Sequence, residues 1–192
     1  MAVIRKKMKK TLRIGTRDSE LALWQAKKVQ TLLENFGYTT SLVPVKSQGD
    51  LSLDIPLYEM GITGVFTKVL DVAMLQGSID IAVHSMKDVP TSLPKGIVKG
   101  AVLTRANVQD VLVYKDGLDF LNQEQATIAT GSLRRKAQWL RRYPTHQVEN
   151  LRGNIATRLH KLHEHSWHGA IFAAAALERL AQDHLQRLSL EW

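Results

Sequence analysis

Three short stretches combine small or hydroxyl residues with arginine. They are Thr16-Arg17-Asp18-Ser19, Thr130-Gly131-Ser132-Leu133-Arg134-Arg135, and Leu151-Arg152-Gly153-Asn154 with Thr157 and Arg158 just beyond. Such residues suit an anionic ligand. Free backbone N–H groups at the start of a helix already favour negative charge. A guanidinium adds a planar fork that grips two oxygens of a carboxylate or phosphate. Arg134, Arg135 and Arg152 stand where helices begin, so the helix dipole opposes their charge and a compensating anion is needed. A ligand is the expected source of that anion. Arg141 and Arg142, late in the same predicted helix, read instead as a solvated face, because cations are comfortable at helix C-termini.

Asp88 carries the other candidate chemistry. It follows an apolar run ending at His84, and Pro90 holds the segment behind it extended. Taken alone it reads as a turn-forming residue. In a cationic cleft the same carboxylate stabilises a developing positive charge or passes a proton. His84, on an apolar run, reads as a core histidine. His160, His163, His165 and His168 lack acidic or thiol co-ligands at a persuasive spacing, so no metal site is expected.

The elements that must position these residues alternate between strand and helix. Strands are predicted over 12–16, 39–45, 79–84, 97–104, 110–114, 127–130, 147–151 and 170–174. Helices are predicted over 21–36, 65–75, 133–142, 155–163 and 177–188, with Trp24 and Trp139 as helix-packing residues. The stretch 47–62, with Gly49, Pro56 and Gly61, reads as a long irregular loop. Strand–helix alternation implies parallel βαβ units with helices on both faces. The expected fold is α/β, with two βαβ-type domains facing a cleft. A basic N-terminal arm covers 1–10, domain 1 covers 11–104 and domain 2 covers 105–192. In such sheets, ligands bind beyond the carboxyl ends of the strands, where all three arginine-bearing junctions fall.

Composition narrows the function classes. The 192 residues carry a formal charge of +8. Met1–Lys10 holds five cations and no acid, and residues 131–160 hold seven cations against Glu149 alone. One basic block is therefore a terminal arm, and the other lies inside the fold. A charge run of this kind is weak support for a nucleic-acid contact, and none is expected. No apolar stretch follows the basic start, so neither a secretory signal nor a membrane span is expected, and a cytoplasmic location is. There is no cysteine, which excludes a thiolate metal site, a cysteine nucleophile and any cofactor tethered through sulfur within these residues.

Five segments carry a family resemblance. They are Arg13-Ile-Gly-Thr-Arg-Asp-Ser-Glu-Leu-Ala-Leu-Trp-Gln-Ala26, Asp80-Ile-Ala-Val-His-Ser-Met-Lys-Asp-Val-Pro90, Thr130-Gly-Ser-Leu-Arg-Arg135, Leu151-Arg-Gly-Asn-Ile-Ala-Thr-Arg158 and Ala173-Ala-Ala-Ala-Leu-Glu-Arg-Leu180. Through them the sequence resembles the porphobilinogen deaminase (hydroxymethylbilane synthase) family. The resemblance implies the type II periplasmic-binding-protein architecture and a transferase of porphyrin, heme and tetrapyrrole biosynthesis. Such an enzyme joins four porphobilinogen molecules head to tail into hydroxymethylbilane, releasing ammonia at each step, on a dipyrromethane cofactor held by a cysteine thioether. It makes Asp88 the catalytic aspartate. It places Arg17, Ser19, Lys87, Thr130, Ser132, Arg134, Arg135, Arg152, Arg158 and Arg179 at positions that bind acetate and propionate groups of cofactor, substrate or growing chain. Porphobilinogen and polypyrrole carboxylates are the implied partners, and the parent enzyme is expected to be monomeric.

Departures from the family pattern also shape the expectation. The family's third domain, its cofactor cysteine and the segment returning to domain 1 have no counterpart here. The chain is therefore expected to be an inactive fragment of a full enzyme. Gln48 stands where the family usually has Arg, and Glu59 and Thr63 where it often has Lys. The alternative reading is a non-catalytic two-domain module that binds anions or carboxylates.

Overall fold

In the computed structural model, residues 10–46 and 67–192 are described. The predicted loop over 47–62, with Gln48 and Glu59, lies outside them, as do Thr63 and residues 1–9 of the basic arm. The described residues divide into two units. One holds 10–46 and 67–100, the other 101–192.

In the first unit β1 (Leu12–Arg17) lies between β2 (Thr40–Val45) and β3 (Ile81–Ala82), all parallel. Ile14 and Thr16 of β1 are fully buried. Pro44 is tolerated in β2 because that strand is at the sheet edge, where a missing N–H breaks no ladder. Helix α1 (Glu20–Asn35) packs on β1 and β2, and α2 (Lys68–Leu75) inserts Leu70 into the same core. The predicted strand over 79–84 pairs over only two residues, although Asp80 and Val83 also donate N–H bonds to Arg13 and Gly15 carbonyls of β1. A short 3-10 turn, Met86–Asp88, follows.

The second unit runs β4 (Asp110–Tyr114), a 3-10 turn (Asp119–Asn122), β5 (Thr127–Ala129), α3 (Leu133–Arg142), β6 (Gln147–Glu149), α4 (Ile155–Glu164), β7 (Gly169–Ala173), α5 (Ala174–Arg179) and β8 (Arg187–Leu190). Its sheet order is β6-β5-β7-β4-β8. Alternate residues of β4 and β7 enter two cores, which is why both strands read as continuous apolar runs. Val111, Val113, Ala170 and Phe172 join Leu162 of α4 and Leu177 of α5 on one face. Leu112 and Ile171 join Phe120 and Trp139 on the other.

Three expectations are corrected. The sheet is mixed, because β4 runs antiparallel to both β7 and β8 while β5 is parallel to β6 and β7. The strand predicted over 97–104 does not form. Residues 98–106 make no backbone hydrogen bond among the described residues, and β-forming side chains without a partner strand make no ladder. The helix predicted over 177–188 ends at Arg179. Ala181 there turns into the left-handed region (φ 52°), and Leu188 and Leu190 pack against the second core as part of β8. Helical spacing of leucines had masked a two-residue alternation.

Candidate anion-binding site

In the first unit, the candidate residues gather at the carboxyl ends of parallel strands. Arg17 closes β1, half-buried, and Ser19 occupies the N-cap of α1 in extended conformation. The Ser19 hydroxyl makes no capping bond, so it is not consumed by the helix. Asp88 ends the 3-10 turn, its N–H donating to the Ser85 carbonyl at 2.9 Å. The turn is pinned to α1, because the Ser85 hydroxyl lies 3.1 and 3.2 Å from the two amide atoms of Gln25. Lys87 is exposed beside it. Burial pushes the His84 imidazole below its ordinary pKa, the charges of Asp71 and Asp88 oppose that shift, and Arg17 adds to it.

The base of this unit is held by an ion cluster that no sequence pattern announced. Asp80 accepts from Arg13 three times, from its backbone N–H and Nε at 2.9 Å and from Nη2 at 3.0 Å, and from Lys10 Nζ at 2.9 Å. The Arg13 side chain, the Arg13 backbone and Lys10 together hold this carboxyl well below the usual carboxylate range.

In the second unit, two of the arginine-bearing junctions touch. Thr130 N–H donates to the Glu149 carbonyl at 3.0 Å, and a Cβ at Gly131 would meet the Leu151 carbonyl oxygen at 2.5 Å. Only glycine lets the turn before α3 lie against the turn after β6. The Ser132 hydroxyl accepts from Arg135 N–H at 3.4 Å as the N-cap of α3, and the Thr130 hydroxyl accepts from Ser132 N–H at 3.3 Å. A shallow hollow of about 100 Å³ opens here, lined by Thr130, Ser132, Lys136 and Asn150 among others. Asn154 caps α4, accepting from Thr157 N–H at 2.8 Å. Gly153 before it takes φ 111°, a conformation that strains any residue with a side chain.

The arginines are not equivalent. The anion expected for Arg134 and Arg135 is supplied by the chain itself: Asp110 accepts from both at 2.7 Å. Arg135 is 11% exposed and also donates to the Ile171 carbonyl at 3.2 Å, while Arg134 is 59% exposed. Burial pushes the Asp110 carboxyl up, and the hydrogen bonds and charges of Arg135 and Arg134 outweigh it, leaving the group below its usual range. Arg152 is buried, which lowers its guanidinium pKa. Arg158 turns back so that Nε donates to the Gly153 carbonyl at 2.7 Å. Arg179 ends α5, half-buried. Thr130, Ser132, Arg134 and Arg135 therefore form one group with the Arg152 turn against it. On the first unit, Arg17 ends β1, Ser19 opens α1, and Lys87 and Asp88 lie on the 3-10 turn that Ser85 ties to α1.

Arg141 and Arg142 are exposed, as a solvated face requires. Trp139 is fully buried. His168 Nδ1 lies 3.1 Å from Thr127 N, so this ring caps a strand. Asp110 is the residue that sequence reasoning missed. A charged residue opening the apolar run Val111-Leu-Val113 was the available signal, since burial there demands a partner.

Residues 12–192 match the model of a family described as porphobilinogen deaminase, dipyromethane cofactor binding domain. The chain belongs to the porphobilinogen deaminase family. Relatives include the porphobilinogen deaminases of Syntrophotalea carbinolica, 48% identical over 88% of this chain and 55% of its own length, and of Desulforamulus reducens, 47% identical over 93% and 59%. A probable porphobilinogen deaminase of Methanocaldococcus jannaschii is 46% identical over 88% of this chain and 58% of its own length. The chain thus spans between half and three-fifths of the length of these deaminases. Every candidate residue from Arg17 to Arg179 lies inside the matched range.

Solved structures give the fold. An ancestral cationic amino acid solute-binding protein superposes with a TM-score of 0.58 at 15% identity, covering 95% of this chain and 77% of its own. The periplasmic VFT2 domain of Bordetella pertussis BvgS gives 0.52 at 13%, covering 93% and 74%. The chain has the type II periplasmic-binding-protein fold. No helix among its described residues is long and apolar enough to cross a membrane.

Proposed function

We propose that this chain is the pyrrole-binding part of a porphobilinogen deaminase, whose full enzyme condenses four porphobilinogen molecules head to tail into hydroxymethylbilane with release of ammonia. The observation that carries this reading is the hydroxyl- and arginine-rich turn before α3, with Arg134 exposed in the first turn of the helix. Each pyrrole unit brings two carboxylates. A unit-charge pair at contact gains about 4 kcal/mol at an effective dielectric near 20, before desolvation. Several such pairs order a polyanion along the site.

Within this reading, Arg134, Thr130, Ser132 and the buried Arg152 hold carboxylates in the second domain (105–192), and Arg17, Ser19 and Lys87 hold them in the first (11–104). Arg158 and Arg179 complete the set, while Arg135, held by Asp110 and the Ile171 carbonyl, supports the turn from within. Asp88 sets its carboxylate against positive charge that develops on the pyrrole as ammonia leaves, and assists the proton transfers. The same donors fit the acetate and propionate groups of a dipyrromethane cofactor, which would supply the primer for chain growth. No residue of the sequence can form its thioether, because there is no cysteine.

The test is to incubate the purified chain with porphobilinogen and to measure binding and product separately. Saturable binding without hydroxymethylbilane is expected. A second reading draws on the fold likeness to a solute-binding protein and makes the chain a non-catalytic anion-binding module. Tight binding of sulfate or phosphate, with no affinity for porphobilinogen, is the result that would favour it.

A further inference from the structure

Asp110 opens β4, and the three residues after it are buried and apolar. It is itself 6% exposed. A carboxylate in such a place needs cationic partners. It takes both from the first turn of α3: Oδ2 accepts from Arg134 Nη2 and Oδ1 from Arg135 Nη2, each at 2.7 Å. The two guanidinium groups are then fixed differently. Arg135 is enclosed, with Nη1 on the Ile171 carbonyl, Nε buried without a hydrogen-bond partner, and little surface left. Arg134 has Nη1 on Gln138 Oε1 at 2.7 Å, keeps further N–H donors over, and remains largely exposed.

We propose that Asp110 is a positioning residue: it anchors Arg135 and, with Gln138, fixes the exposed Arg134 guanidinium on the first turn of α3, where it meets a ligand carboxylate. This rests on the pyrrole-binding reading above. Gln138 also accepts from Arg134, but it is neutral and the first turn of α3 has no acidic residue, so among the described residues Asp110 is the anionic partner of this guanidinium. Its burial argues against the opposite arrangement, in which Asp110 is a stand-in that a ligand carboxylate displaces. A ligand has little access to a group so enclosed, and displacement would leave Asp110 buried without its partners. The two arrangements differ in sign. Removing a positioning anchor weakens ligand binding, whereas removing a competitor tightens it.

The experiment titrates porphobilinogen into the 192-residue chain and its Asp110→Asn, Asp110→Glu, Arg134→Gln and Asp110→Asn/Arg134→Gln variants. In parallel, ¹⁵N relaxation follows the Arg134 Nε–H group without ligand. Asp110→Asn is expected to weaken binding about tenfold, the scale of one charge-assisted contact. The double variant should be no weaker than Arg134→Gln alone, because both changes remove the same contact. Arg134 Nε–H should be ordered in the parent chain and lose that order in Asp110→Asn. Tighter binding by Asp110→Asn, additive losses in the double variant, or an Arg134 group already disordered in the parent chain overturns the proposal. If Asp110→Asn fails to fold, Asp110→Glu decides, since it keeps the charge but moves it by one methylene. About a threefold loss is expected there, and an unchanged affinity with unchanged Arg134 order overturns the proposal. If the parent chain does not bind porphobilinogen at all, the pyrrole reading fails, and the Arg134 order alone decides the role of Asp110.

Discussion

At the residue scale, adjacent arginines on one helix turn have opposite work. Arg135 is buried against Asp110 and the Ile171 carbonyl, so Arg135→Leu should cost stability, about 3 kcal/mol on the scale of a broken buried pair, measured by urea unfolding. Arg134 is exposed and shares Asp110 with Arg135, so Arg134→Leu should cost only about 1 kcal/mol, less than Arg135→Leu, and weaken porphobilinogen binding about tenfold. The reverse pattern would return Arg134 to the structural face of α3. Asp80 and Asp110 carry a pH dependence. Both have folded pKa values below the unfolded value of about 3.9, so their stabilisation is complete above that value and is lost as pH falls toward the folded one. The stability gap between the parent chain and Asp80→Asn should therefore be wide at pH 7 and shrink on going to pH 3. A gap that widens on acidification would contradict the assignment of Asp80 as the ionised partner of Arg13 and Lys10.

At the element scale, α3 is fixed from below by Trp139 and at its start by the close passage of Gly131 over Leu151. Trp139→Ala empties a fully buried site and should lower stability by about 3–5 kcal/mol in urea unfolding. Residues 98–106 have no backbone partner among the described residues, so their amides should exchange much faster than those of β4. These elements also show what the sequence could reveal. Helices α1, α3 and α4 were legible within a residue or two, because their apolar spacing and capping residues Ser19, Ser132 and Asn154 agree. The Arg-bearing turns were legible because hydroxyls and arginines at helix starts are local signals. Strand pairing was not. The apolar run at 97–104 has the composition of a strand, but a ladder needs a partner that composition cannot name. The antiparallel placement of β4 and the Asp110–Arg135 pair depend on residues 25 positions apart meeting in space, for which one sequence holds no periodic cue.

At the scale of the whole molecule, the basic surplus and the family assignment point the same way. Residues 131–160 concentrate cations around α3 and the α4 junction, and the chain carries +8 overall without a thiol. Binding that relies on these charges should weaken as salt rises from 0.05 to about 0.5 M, since the screening length then falls well below about 10 Å. The most direct test of the central claim is an amide NMR titration of the chain with porphobilinogen. The shifts should concentrate in 130–136 and 150–158 of the second unit and in 17–19 and 85–88 of the first. Shifts confined to the hollow lined by Lys115, His163 and His184, or no shifts at any concentration, would contradict it.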